Sequence, residues 1–466
     1  MYLFPFEKIN PGERIVIYGA GLVGNSFWQQ IKRTKYCRLI AFADRAYDKY
    51  IGMSIPVVAM EDIVGLNYDK IVVAIDQEDL AKIIVNQLKA KAKVSRDAIV
   101  LGCGRKYDEN EVQRNSIRVP KANYAYQESG ISIAFYMKRG MGDCIFARKF
   151  IESFITLSSQ KCSIDLYVSP ETETSISLIM WDMKAIKNVF IGHSLYVAVS
   201  RRYDISMEIG LFLQITSYNH KNLYAKDMRM AEIILELEKK ITASNLDLQR
   251  TSDYYVFIRR CELKGYNCYT GYSYDGIVPI GDWHVNIPLK EEFETVYKDL
   301  SLPKKYITID YAWNEKSVLL PKFWPFTYFQ ELACLLKKTY PDYSLVQIGV
   351  KEAREIDAAD RRLIGADMEL VKYILQGASL HIDYEGGLVH IATQLGTQCV
   401  VLMGPSPCRF YSYDNNINLR AEICNGCMYI DESYTQCYRR MEKPECMRSI
   451  KPNRVIEAIK KGWKQK

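Results

Sequence analysis

At 466 residues the chain is longer than one ordinary hydrophobic core, so two or three domains are expected. A hydrophobic fraction of 48% with 25% charged residues excludes a disordered chain and fits a globular one, and no apolar run reaches membrane-helix length. The formal net charge of +7 suits acidic ligands or an anionic membrane surface, while no basic helix with interleaved aromatics points to nucleic acid.

The opening residues, MYLFPFEKINPGER, lack the basic segment, apolar core and cleavage site of a secretory signal, so a cytoplasmic protein is expected. With 13 cysteines, an odd number, most are expected to be reduced thiols. Arg14–Tyr18 reads as a strand entering Gly19-Ala20-Gly21-Leu22-Val23-Gly24. A helix bearing Phe27 and Ile31 follows, then a strand, Leu39–Ala43, ending in Asp44 twenty residues after Gly24. Strand, Gly-x-Gly-x-x-Gly, helix, strand and acid form the dinucleotide fingerprint: Gly19, Gly21 and Gly24 make the phosphate turn, and Asp44 reaches the ribose. Lys70–Ile75, a helix over Leu80–Leu88 and Ala98–Leu101 continue the α/β alternation.

Residues 1–120 are thus expected to form a Rossmann-like domain, one that binds a nucleotide or NAD, or keeps its glycines for tight packing alone. The module resembles the small N-terminal domains attached to bacterial polysaccharide-biosynthesis enzymes, through Asp44-Arg45 followed by Gly52-x-x-Ile55-Pro56-Val57. A sugar-nucleotide oxidoreductase using NAD is the rival reading. The Tyr-x-x-x-Lys pair of the short-chain type, whose lysine lowers the tyrosine pKa, occurs nowhere among the 34 tyrosines.

A linker with Pro120 and Asn123–Gly130 opens the second region, residues 121–300. Ile131–Met137 reads as a strand, Lys138-Arg139-Gly140-Met141-Gly142-Asp143 as a loop, and the residues from about Cys144 to Leu157 as a helix. Asp143 then stands at a helix start on the rim of an α/β sheet, where an N-cap carboxylate is common. Short strands are expected at Ser163–Val168, Val189–Gly192 and Tyr203–Met207, and an amphipathic helix at Met228–Ile241. The stretch Ser252–Ile287 reads as irregular and aromatic, an acceptor-shaping surface. His193, His220 and His284 stand alone and read as structural.

The third region, residues 301–466, begins with the strand Tyr306–Asp310, then Lys322-Phe323-Trp324-Pro325 and a helix through Phe329–Leu336. Val346–Val350 is a further strand, with Glu352 and Glu355 after it. Ser379–Asp383 reads as a buried strand, Glu385-Gly386-Gly387 as a turn permitting positive φ and close approach, and Leu388–Leu395 as a helix carrying His390. Gln398–Met403 completes a βαβ unit before Gly404-Pro405. A helix N-terminus at Gly386-Gly387 offers free N–H groups and partial positive charge to a diphosphate. Beyond it, Cys424, Cys427, Cys437 and Cys446 are spaced so that four thiolates could close a structural zinc site; two disulfides or free thiols fit the same spacing. A last helix, Arg454–Lys461, is expected to pack back across the lobes.

Glu385-Gly386-Gly387-Leu388-Val389-His390-Ile391-Ala392, then Leu395-Gly396-Thr397 and Met403-Gly404-Pro405, resembles the donor-binding motif of glycosyltransferase family 9, the heptosyltransferase-like family. Two positions depart from it: Glu385 replaces an aspartate, and Gly386 a hydroxyl residue. Either Glu385 or Asp383 fills the acid role. The resemblance implies a GT-B fold, two Rossmann-like lobes facing a cleft, preceded here by the extra N-terminal domain. It further implies an inverting, metal-independent transfer from a nucleotide-diphosphate sugar to a glycan or lipid-linked acceptor in bacterial surface polysaccharide biosynthesis; peripheral contact at the inner membrane surface is an expectation from the net charge. By the same resemblance Asp143, after Gly142, is the catalytic base, Lys322 (with Lys316 as alternative) contacts the donor phosphates, and Glu352 or Glu355 holds the nucleoside. Glu385 would bind sugar hydroxyls, and Gly386, Gly387 and His390 the leaving diphosphate. The cysteines, with Met447-x-x-Ile450-x-Pro452-x-x-Val455, also recur in some family members. A non-catalytic nucleotide-sugar binding protein stays open because of the two departures.

Overall fold

A computed structural model describes residues 2–10, 12–34, 36–50, 55–102, 130–138, 140–311, 322–430 and 437–464. Gly52, Pro120, Asn123, Arg139 and Lys316 lie outside these residues. The chain is α/β, with three sheets in chain order.

The first sheet contains β1 (Arg14–Tyr18), β2 (Arg38–Ala43), β3 (Val57–Val58), β4 (Lys70–Val73) and β5 (Ile99–Leu101), in the order β3-β2-β1-β4-β5 and parallel throughout. Helix α1 (Leu22–Thr34) leaves the glycine turn and buries Phe27 and Ile31 against it. The second sheet contains β6 (Ile131–Met137), β7 (Cys162–Val168), β8 (Ile186–Ile191), β9 (Ile205–Ile209) and β10 (Leu213–Tyr218), ordered β10-β9-β6-β7-β8. Only β10 runs antiparallel. Helix α2 (Met141–Ile155) follows β6 and buries Phe146, Phe150, Ile151 and Phe154.

The third sheet holds β11 (Tyr306–Asp310), β12 (Ser344–Gly349), β13 (Arg361–Ile364), β14 (Leu380–Tyr384), β15 (Cys399–Met403) and β16 (Ile417–Arg420). Its order, β13-β12-β11-β14-β15-β16, is that of a doubly wound dinucleotide fold, with the direction of strand addition reversing between β11 and β14. Helix α3 (Phe326–Thr339) follows β11, α4 (Met368–Gly377) precedes β14, and α5 (Gly387–Gln394) joins β14 to β15. The period-2 alternation of β11 sends Ile307 and Ile309 into the core beneath Trp324 and Phe329. Thr308 and Asp310 therefore face the opposite side, toward α4 and α5.

The second and third sheets share one core, in which Phe150 and Ile151 of α2 join Val389 and Ile391 of α5. Two α/β lobes thus face one another across a cleft, the GT-B arrangement. No helix among the described residues is long and apolar enough to cross a membrane.

Several expected elements differ. The stretch read as irregular contains a 13-residue helix, Thr251–Leu263, whose Phe257, Ile258 and Cys261 are buried. β9 begins two residues later than expected, and β10 was not anticipated. The final helix, α6 (Pro452–Gly462), does not bridge the lobes: Val455, Ile456 and Ile459 pack into the third sheet's own core.

Candidate active site in the inter-lobe cleft

The helices α2 and α5 start at the carboxyl ends of β6 and β14, and their N-termini meet in the cleft. A Cβ placed on Gly142 would lie 2.6 Å from His390 Cδ2, and one on Gly387 would lie 3.0 Å from Met141 Cβ. The expected positive φ at the Glu385-Gly386-Gly387 turn is absent: Gly386 is extended, with φ −174° and ψ −179°. Gly387 is needed for space, because a side chain there would push the helix starts apart.

Between them lies a cavity of about 720 Å³, within the range of small-ligand sites. Asp143 and Gly142 line it from one lobe; Lys322, Glu385, Gly386, Gly387 and His390 line it from the other. Seven of the residues read from the sequence thus converge. Glu352 does not: it is exposed, in the turn after β12, and the lining there comes from Gly349, Val350 and Lys351. Glu355 is turned to Arg362, 3.5 Å away. Asp143 is not the N-cap of α2; Gly140 is, and Asp143 occupies the third helical position, inside the positive end of the helix.

Glu385 is the hub of the donor side. It is buried, and its Oε2 takes an ion pair from Lys322 Nζ and a hydrogen bond from Ser406 Oγ at 2.7 Å. Its Oε1 lies 3.3 Å from His390 Nε2. Burial alone would push this carboxyl upward, but Lys322 and His390 outweigh it and hold Glu385 well below the usual carboxylate range. As an ionised carboxylate only accepts, His390 Nε2 donates to it, and Nδ1 pairs with Tyr413 Oη at 2.7 Å. Tyr413 Oη meets Tyr269 Oη at 2.9 Å, and Gln394 Nε2 donates to Tyr269 Oη at 2.9 Å and to Trp283 O at 2.9 Å. Part of the tyrosine-rich stretch after residue 254 is thereby accounted for: its Tyr269 fixes the imidazole of the other lobe.

Of the two acids considered for the family aspartate's position, Glu385 holds the lysine and the histidine. Asp383 sits deeper, its Oδ1 accepting from Tyr384 N–H at 2.7 Å. Sequence reasoning missed several lining groups. Phe146, Tyr411, Met428 and Tyr429 form an apolar wall, and Asp310 shares the floor with Asp383. The available signal was that two adjacent strands at the switch point, YITID and LHIDY, both carry aspartate at their carboxyl ends.

The N-terminal glycine turn is a separate place. Gly19 has φ +106°, and a Cβ on Gly24 would lie 1.9 Å from Gly19 O, so Gly24 serves close helix–strand packing. Asp44 is turned onto its own turn: Oδ2 accepts from Ala20 N–H at 2.9 Å and Oδ1 from Ala46 N–H at 2.9 Å. Gly21 has open space where a side chain would stand.

Cys424, Cys427, Cys437 and Cys446 line one small cavity, and none is in a disulfide. Burial pushes the Cys446 thiol up to about 12. Among the described residues no group of three or more histidine, cysteine or acidic side chains is arranged to hold a metal ion. The segment just after Cys427 reaches the cleft, with Met428 N–H bonded to Pro405 O at 2.9 Å and Met428 and Tyr429 on the cavity wall.

No family model matches the sequence, and no curated protein matches it. Solved structures do resemble the fold. A glycosyl transferase family 9 protein from Veillonella parvula is 14% identical over 71% of this chain and 96% of its own, with a TM-score of 0.47. E. coli ADP-heptose LPS heptosyltransferase II is 15% identical over 71% of this chain and 98% of its own, at 0.44. The iron-containing dodecameric glycosyltransferase TibC from enterotoxigenic E. coli is 16% identical over 72% and 76%, at 0.46.

Proposed function

We propose that the protein is an inverting glycosyltransferase that moves a sugar, heptose-like or related, from a nucleotide diphosphate onto a hydroxyl of a glycan or lipid-linked acceptor. One observation carries the reading: the starts of α2 and α5 face each other across a single cavity, with Asp143 on one side and Gly386-Gly387, Lys322 and His390 on the other.

A sugar hydroxyl is a weak nucleophile until its proton is accepted during attack. Asp143 takes that proton as the acceptor oxygen bonds to the anomeric carbon. The bond from that carbon to the diphosphate oxygen breaks on the opposite face, so the anomeric configuration inverts. The bonding pair leaves with the nucleoside diphosphate, whose growing charge is met by the N–H groups opening α5 and by Lys322. Glu385, held ionised by Lys322 and His390, accepts from sugar hydroxyls. The chain supplies these positive groups itself, and the transfer is proposed to need no metal.

Three further parts of the reading belong here. The cysteine cluster is a structural element, suited to zinc if its thiolates close on the ion, that holds the Met428–Tyr429 wall in place. The N-terminal turn takes a nucleotide or NAD only if that ligand displaces Asp44 from Ala20. A lipid-linked acceptor and the net charge of +7 fit work at the inner membrane surface from the cytoplasmic side.

The experiment is a thermal-shift screen against ADP-, GDP-, UDP- and dTDP-sugars, followed by sugar transfer or donor hydrolysis with the stabilising compound. Stabilisation by one base series with turnover supports the reading. Stabilisation without turnover gives a nucleotide-sugar binding protein, and no stabilisation by any of them removes the reading.

A further inference from the structure

Asp310 and Asp383 lie side by side on the cavity floor, one step beyond the paired Ile309 and Ile382. Both are almost wholly buried, at 2% exposure each. They stand between apolar neighbours on the same face of the sheet, Val346 and Ile348 of β12 and Cys399 and Val401 of β15. Behind them on the same face are Thr308 and His381, joined by a 3.0 Å hydrogen bond between Thr308 Oγ1 and His381 Nδ1.

An acid pair is an expensive feature of a core unless cations or hydrogen bonds compensate it. His381 does not neutralise it: burial drives that imidazole down to about 3, and its Nε2 stays 3.7 Å from Asp383 Oδ2, without a hydrogen-bond partner. Lys322 faces Asp383 but is engaged by Glu385, itself a negative neighbour. Tyr384 and Tyr311 flank the pair, and Lys351 lies exposed on the cavity rim. Burial, with Asp383 alongside, raises Asp310 well above the usual carboxylate range, and burial raises Asp383 likewise. Asp383 already accepts from Tyr384 N–H, whereas Asp310 Oδ1 has no hydrogen-bond partner among the described residues. A Cβ on Gly349 would lie 3.1 Å from that oxygen, so the backbone of β12 packs closely against Asp310 there.

We propose that the Asp310 carboxyl, backed by Asp383, accepts a hydrogen bond from a hydroxyl of the bound nucleotide sugar and so helps select a polyhydroxylated ligand. This rests on the reading of the cleft as a nucleotide-sugar site. A hydroxyl fits because it donates, whereas a phosphate oxygen would meet repulsion. The hydroxyl belongs either to the ribose or to the transferred sugar.

The test is calorimetric binding of ADP, GDP, UDP and dTDP, their sugar conjugates and inorganic pyrophosphate to wild type, Asp310→Ala and Asp310→Asn. Asp310→Ala is expected to weaken binding about tenfold, the effect of one lost hydrogen bond. Asp310→Asn, which keeps a carbonyl oxygen in place, is expected to restore most of it. Without ligand, neither variant is expected to melt below wild type, because each removes a buried carboxyl that lacks a full set of partners among the described residues. Equal weakening for a nucleoside diphosphate and its conjugate assigns the ribose; weakening of the conjugate alone assigns the transferred sugar. Unchanged affinity, equal weakening of pyrophosphate, an effect seen only with Mg²⁺ present, or an unliganded Asp310→Ala that melts several degrees lower overturns the proposal. If wild type binds none of these ligands, the reading of the cleft itself falls, an outcome distinct from wild-type binding that Asp310→Ala leaves intact.

Discussion

Replacing Lys322 by methionine should destabilise the third sheet while leaving its packing volume nearly unchanged. Lys322 is 8% exposed and Glu385 5%, so the substitution leaves a buried carboxylate without its main counter-charge. Breaking a buried pair from one side costs about 3–5 kcal/mol. Ser406 and His390 stay in contact with Glu385, which places the expected loss near the lower end, about 3 kcal/mol. Urea unfolding followed by tryptophan emission reads it, because Trp324 is buried in the same core. The midpoint should fall with the slope unchanged. Adding Glu385→Gln to the same chain removes the orphaned charge but keeps an acceptor, and should bring stability back to within about 1 kcal/mol of wild type. The pH dependence has a fixed sign. Because Glu385 is held below its ordinary range in the folded protein, its contribution is complete above that range and is lost as pH falls through the depressed value. The gap between wild type and Lys322→Met should therefore be widest near neutrality and narrow below about pH 4. A single variant costing under about 1 kcal/mol, or a double variant less stable than the single, would refute this reasoning.

Gly142→Ala should lower transfer at least tenfold and cost about 1–3 kcal/mol, because the added methyl meets His390 at 2.6 Å; an unchanged rate would show that the two helix starts need not touch. Purified under zinc-replete conditions, the protein should contain about one metal ion per chain by elemental analysis if Cys424, Cys427, Cys437 and Cys446 hold one, and a Cys424→Ser, Cys446→Ser double variant should contain none. Metal content unaffected by the double variant would leave the four as plain thiols. Asp44→Asn should raise affinity for ADP or NADH at the N-terminal turn if Asp44 blocks it, measured by nicotinamide fluorescence; silence from both proteins would make Gly19, Gly21 and Gly24 packing residues.

Much of the architecture was legible because it is local. Glycine turns between apolar strands and periodic helices placed α2 and α5, and with them Asp143, Gly142, Gly386, Gly387 and His390. What failed was of three kinds. Helix Thr251–Leu263 was hidden because Tyr254, Tyr255 and Phe257 crowd its sequence, and aromatic residues speak weakly for a helix until tertiary packing buries one face. Of the two glycine properties expected at Gly386-Gly387, positive φ is absent and close approach is present, but its partner is Met141, a constraint from 246 positions away that no local pattern records. Finally, the polar wiring is non-local. His390 depends on Tyr413 and Tyr269, and Asp310 acquires its character from Asp383 one strand over. Each of these residues alone reads as an ordinary core or turn residue; only the parallel register of β11 and β14 and the closed cleft bring their chemistry together.

The most direct measurement compares wild type with Asp143→Asn, recording sugar transfer and donor affinity on the same preparations. Transfer should fall by at least about a hundredfold, the scale of a lost general base, while donor affinity stays within about twofold. Transfer at the wild-type rate, with donor binding intact, would contradict the account.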